Sequence, residues 1–156
     1  MDNPNVVTIE KQITLEEWKQ MAAKGNNIST KIYTLGASMF PLLRAEGDSV
    51  TIIPLQRQLN RGDVVVFLRT DGKCVAHRVC WYDENTVKTI GDNCERFDKV
   101  IHLSEILGLV THVHRGGKDI FVDNSLWRFY GRVMQWIMPA RKLFKKVRSR
   151  IYRMVK

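Results

Sequence analysis

GDVVVFLRTDGKCVAHRVCWY, residues 62–82, reads as a β-hairpin. Asp63 to Leu68 is a run of β-branched and aromatic residues of strand length. Asp71-Gly72 turns the chain sharply, and Cys74 to Tyr82 continues as the partner strand. Working outward, the same alternation of short β-rich runs and turns extends from about residue 30 to about 122. Upstream lie Ile32 to Leu35 and Ser49 to Ile53. Downstream lie Thr86 to Ile90, Ile106 to His114 and, after the turn Arg115-Gly116-Gly117-Lys118, Asp119 to Val122. Successive strands joined by local turns predict a mainly β, mainly antiparallel domain.

The pattern changes at both ends. Thr14-Leu15-Glu16-Glu17 fits a capping box, Trp18, Met21 and Ala22 share a helical face, and Gly25-Asn26-Asn27 stops it. A short helix is expected over about 14–24, with 1–13 extended before it. From Ser125, the residues Trp127, Tyr130, Val133, Met134, Trp136 and Ile137 recur at helical spacing. Pro139 interrupts, and Leu143, Phe144, Val147, Ile151, Met154 and Val155 resume the stripe among Arg and Lys. The expected organisation is one domain over 1–124 and a basic amphipathic helical tail over 125–156.

Charge follows that division. The net charge is +9, but residues 127–156 hold ten Lys or Arg and no Asp or Glu, and the rest carries 15 basic and 16 acidic side chains. A cationic field confined to the tail argues against a nucleic-acid-binding face spread over the domain and for a localised anionic partner. Aromatic residues interleaved with the cations suit an anionic membrane surface. Cys74, Cys80 and Cys94 are an odd set without a CxxC spacing, which points to reduced thiols and not to a disulfide framework or zinc ribbon. His102, His112 and His114 lack a carboxylate or cysteine cluster at ligand spacing, so neither metal nor cofactor is expected. The polar N-terminus and the lack of 18 uninterrupted apolar residues predict a cytoplasmic location, with the tail peripheral on the inner face of the membrane.

Three patches carry groups that do chemistry: Gly36-Ala37-Ser38-Met39-Phe40-Pro41, Val75-Ala76-His77-Arg78-Val79, and Gly91-Asp92-Asn93-Cys94-Glu95-Arg96-Phe97-Asp98. Each lies at a strand end or in the loop beside one. A serine hydroxyl needs a base to take its proton and donors for the oxyanion that follows attack. Neutral histidine suits the first task near neutral pH, and a carboxylate fixes its tautomer. Small residues before the serine, Gly36 and Ala37, let a substrate backbone come close. Lys73 is a rival base on the face of His77, but beside the Asp71-Gly72 turn it is solvated and keeps its proton, so His77 is preferred. Cys94, next to the Gly-Asp-Asn loop, reads as a passive thiol.

The order of these patches, with Gly62 to Phe67 between them, resembles the signal peptidase I and LexA-like peptidase superfamily. Ser38-Met39-Phe40-Pro41 is similar to its nucleophile motif of serine, methionine, a variable residue and proline. His77-Arg78 resembles the endoplasmic-reticulum and archaeal branch, which has histidine where bacterial leader peptidases use lysine. Asp92 matches the aspartate of that branch's Gly-Asp-Asn segment, and Asp98 the second aspartate beyond it. The resemblance covers about residues 30–112. It implies a LexA- and signal-peptidase-like antiparallel β fold and a serine endopeptidase acting on a peptide or protein substrate. Catalysis would rest on Ser38, His77 and Asp98 or Asp92, with Gly36, Ala37 and Met39 as the oxyanion- and substrate-binding set. The chain departs from that pattern in three ways: no membrane anchor is evident, no DNA-binding domain fits before residue 30, and Gly36 stands where leader peptidases often place a serine oxyanion donor. The alternative is a non-catalytic peptide- or membrane-binding module on the same fold.

Overall fold

The computed structural model describes residues 7–9, 18, 20, 28–33, 36–45, 47–69 and 74–140. Among the described residues nine strands form one sheet: β1 Val7–Ile9, β2 Ile28–Tyr33, β3 Asp48–Ile53, β4 Val64–Leu68, β5 Cys74–Tyr82, β6 Thr86–Ile90, β7 Ile101–His102, β8 Ile106–Arg115 and β9 Lys118–Phe121. They lie in the order β1-β2-β3-β8-β4-β5-β6-β7. The mainly β expectation holds, and every pairing except the parallel β1–β2 is antiparallel.

The expected hairpin forms: Leu68 faces Cys74 and Val64 faces Arg78. β8 is the spine. One edge pairs with β3, while the other pairs with β4 over its first half and β9 over its last. The uninterrupted apolar run of β4 is explained by burial on both faces. Val64 and Val66 point into a core with Met39, Leu42, Leu43, Val50, Ile52 and Val113. Val65 and Phe67 point into a second core with Leu59, Val79, Val87 and Leu109. Residues paired across a ladder share a face. Arg78, opposite Val64, therefore lies on the first face, and His77, opposite Val65, lies on the second. One strand thus delivers two adjacent polar side chains to opposite sides of the sheet.

Some boundaries differ from expectation. β7 is two residues long, too short to leave a pattern, and exists because Ile101 and His102 pair with Val87 and Thr86. Within the span 14–24, Trp18 and Gln20 are helical and the other positions lie outside the described residues. Trp18 is buried and its indole N–H donates to Leu107 O at 2.5 Å. The tail begins as expected with a helix, α1, Ser125–Trp136, whose N-cap Asn124 accepts from Trp127 N at 3.1 Å. The helix breaks at Ile137 and helical residues resume at 138–140, with Pro139 in their first turn, where its missing N–H goes unused. The second expected helix, over Leu143 to Val155, lies outside the described residues.

Candidate active site

The loop 36–45, between β2 and β3, carries Ser38. It is a tight turn in which Phe40 N donates to Ala37 O and Leu43 N donates to Met39 O, at 3.1 and 2.9 Å. Buried Leu42 and Leu43 anchor it from below, and Arg115 at the end of β8 holds Leu42 O at 2.7 Å and the Asp48 carboxylate at 2.6 Å. Gly36 and Ala37 are exposed, Ser38 is half-buried, and a side chain at Gly36 would meet only open space. A peptide backbone has room to approach there.

The Met39 side chain, expected in the oxyanion- and substrate-binding set, does not face the opening over Gly36 and Ala37. Its side chain is in the core, and its sulfur accepts from Asp92 N at 3.5 Å. It ties the Ser38 loop to the loop after β6. That second loop returns the grip: Asn93 N donates to Ser38 O at 2.7 Å, and Asn93 Nδ2 donates to Ala37 O at 3.2 Å.

His77 on β5 faces the junction of these loops. Its Nδ1 lies 2.6 Å from Asp98 Oδ2, and the same oxygen accepts from Thr89 Oγ1 at 2.7 Å. Asp98 N donates to Thr89 O at 2.9 Å, so Thr89, wholly buried on β6, fixes the carboxylate from two sides. His77 Nε2 is buried and has no hydrogen-bond partner. Ser38 Oγ thus makes no bond to it here, although the backbone of Ser38 is close. A Cβ on Gly91 would stand 2.6 Å from Ser38 O, 2.7 Å from Cys94 Sγ and 3.0 Å from His77 Nε2. Only glycine at 91 allows these three to converge.

Burial of the His77 ring works against its charged form. The Asp98 hydrogen bond, helped by the Cys94 thiol and by the charge of Asp98, outweighs it and pushes the pKa up to about 9. The imidazole is therefore charged at neutral pH. Cys94, read as a passive thiol, lies against this ring.

The two aspartates divide their work. Asp98 meets His77. Asp92 pairs with Arg78, whose Nε and Nη2 lie 2.7 and 2.6 Å from its two carboxylate oxygens. Asp92, the other candidate, does not meet His77: its carboxylate is committed to a buried ion pair on the other face of the sheet. Both side chains of that pair are 1% exposed. Arg78 Nη1 also donates to Gly62 O at 2.7 Å. The Tyr130 ring covers the guanidinium at 5.5 Å, and Gly131 of α1 packs directly on the Arg78 side chain. Gly62 has φ +100°, and a Cβ there would strike the Arg128 backbone at 2.5 Å. Its neighbour Asp63 is buried and holds Arg57 at 2.8 Å and Arg128 at 3.5 Å. The Gly62-Asp63 motif is thus the clamp that fastens α1 behind the site.

Lys73, the rival base, lies outside the described residues. His112 and His114 stack as neighbours, but both ring nitrogens of His114 are used, on Thr51 Oγ1 and Asp119 Oδ1, each at 2.6 Å. No group of three potential metal ligands occurs among the described residues, and none of their helices is long and apolar enough to cross a membrane. Sequence reasoning missed Thr89 and Gly131. Each had a signal: a threonine at an inward strand position between Val87 and Gly91, and a glycine inside a helical stripe. No family model matches the chain, and neither the curated proteins nor the solved structures contain a match to it.

Proposed function

We propose that the chain is a serine endopeptidase of the signal-peptidase kind, acting through an acyl-enzyme on Ser38 and processing a leader or precursor peptide. One observation carries this reading: His77 is held through Nδ1 by Asp98, while Nε2 is buried, makes no bond of full hydrogen-bond geometry, and lies beside the Cys94 thiol and the loop of Ser38. An orienting carboxylate on one ring nitrogen, with the second nitrogen not bound to any carbonyl or carboxylate, is the arrangement a general base requires. In the proposed reaction Ser38 Oγ passes its proton to Nε2 and attacks the peptide carbonyl. The Ser38 N–H supports the oxyanion, and His77 returns the proton to the leaving amine. Water then repeats the cycle and releases the acyl group. Asp98 accepts from Nδ1–H and so holds the tautomer that leaves Nε2 as the base. The substrate lies extended over Gly36 and Ala37, where the loop is open.

The second reading, a non-catalytic binding module, is favoured by the charge on His77. With a pKa of about 9, about one imidazole in a hundred is neutral at pH 7. The rate of acylation by a serine-directed phosphonofluoridate separates the two. For the enzyme, the base form is the active one, so the rate is expected to climb about tenfold per pH unit from pH 6 and level off above about 9. Cys94→Ala removes one influence that favours the charged ring and is expected to move this limb to lower pH. Failure to acylate at any pH up to 10 would leave the binding module.

A further inference from the structure

α1 has two apolar sides, and the domain uses only one. Trp127 packs on the first core, Gly131 and Tyr130 cover Arg78, and Gln135 Nε2 donates to Val79 O at 3.1 Å. Arg128 is tied to Asp123 at 2.9 Å. These contacts fix the rotation of the helix about its axis. Leu126, Phe129, Val133, Trp136 and Ile137 are then left facing outward, with Leu126 72% and Trp136 86% exposed. Their spacing, at steps of three, four, three and one, makes them a single stripe along the helix. An apolar stripe of this extent on a folded domain marks an interaction surface.

We propose that this outer stripe of α1 docks the protein on an anionic lipid surface. Charge complementarity selects that partner. Residues 127–156 hold ten cations and no anion, two of them in α1 and eight in the sequence that follows from residue 141, whereas the rest of the chain is nearly balanced, so the positive charge of the sequence adjoins the stripe. Arg132 flanks the stripe with its guanidinium 5.9 Å from the Phe129 ring centre, and its long stem lets the charge reach headgroup phosphates while the ring enters the acyl boundary. Trp136, at the end of the helix, is the residue type favoured at the membrane–water interface. A nucleic acid would need cations on the face itself, where five apolar side chains stand. The proposal is independent of catalysis by Ser38. It also sets the geometry of the site: the inner face of the docked helix lies on Arg78, the residue after His77.

Co-sedimentation of the full chain with phosphatidylcholine vesicles, with and without phosphatidylglycerol, tests it. Binding is expected only with phosphatidylglycerol and weakens as salt rises. The double variant Phe129→Glu with Trp136→Glu is expected to lose more than about tenfold in affinity, and Leu126→Ser with Val133→Ser a smaller factor. All four side chains are exposed, so both variants keep the fold, checked by an unchanged melting temperature. Three results would overturn the proposal: no sedimentation at low salt, undiminished binding by both variants, or a wild-type dimer that ignores vesicles and that the Glu variant dissociates. The second would assign binding to the tail cations alone. The third would assign the stripe to a second copy of the chain.

Discussion

Arg78→Ala is expected to destabilise the fold by about 3–5 kcal/mol, enough to unfold a large fraction of the molecules at moderate temperature. The reason lies in what remains. Asp92 would be left at a position 1% exposed, without the guanidinium that takes both of its oxygens. Gly62 O would lose its donor, and Gly131 and Tyr130 would lie over a cavity. Arg78→Lys keeps a charge but not the fork, and is expected to fall between. If the unpaired carboxylate is the cause, Arg78→Met combined with Asp92→Leu recovers much of the loss. Urea unfolding of the four proteins measures this. A shift for Arg78→Ala within about 0.5 kcal/mol of wild type would mean that the pair does not hold the two loops.

Asp98→Asn is expected to lower turnover by about 10³–10⁴-fold while leaving the chain folded. Asparagine still reaches His77 Nδ1, but it no longer stabilises the imidazolium or enforces the tautomer with Nε2 free. The change also has a signature in stability. The pKa of His77 in the folded protein is raised from 6.5 to about 9. The charged pair therefore stabilises the fold fully below about pH 6.5, and that contribution fades as the pH climbs through about 9. The melting-temperature deficit of Asp98→Asn relative to wild type is accordingly larger at pH 6 than at pH 10. A deficit that is equal at both, with turnover unchanged, would remove Asp98 from the site.

The β domain was legible because its signals are local. Asp71-Gly72 between two β-branched runs specifies a hairpin, and β5 and β6 begin and end where the sequence places them. The three chemical patches were legible as residue types; His77 meets Asp98, and the Ser38 backbone lies near His77, while Ser38 Oγ makes no bond to it. What the sequence left open was the partnering of Asp92 and Asp98. They lie six residues apart in one loop, beside two adjacent strand residues that point to opposite faces. Which carboxylate goes with which side depends on the register of β5 against β4, a long-range fact. Met39 illustrates the same limit: beside a half-buried serine, nothing local says that its side chain turns into the core. The place of Cys94 beside the ring was not legible because it depends on Gly91, whose lack of a side chain lets the thiol, the imidazole and the Ser38 backbone meet.

The central claim is that Ser38, with His77 as its base, is the nucleophile. Its most direct test is to treat the full chain at pH 9 with a serine-directed acylating probe and find the modified residue by peptide mass. The account requires the adduct on Ser38, present in Cys94→Ala and absent from Ser38→Ala and His77→Ala. An adduct on Cys94, or one on Ser38 that forms equally well without His77, would contradict it.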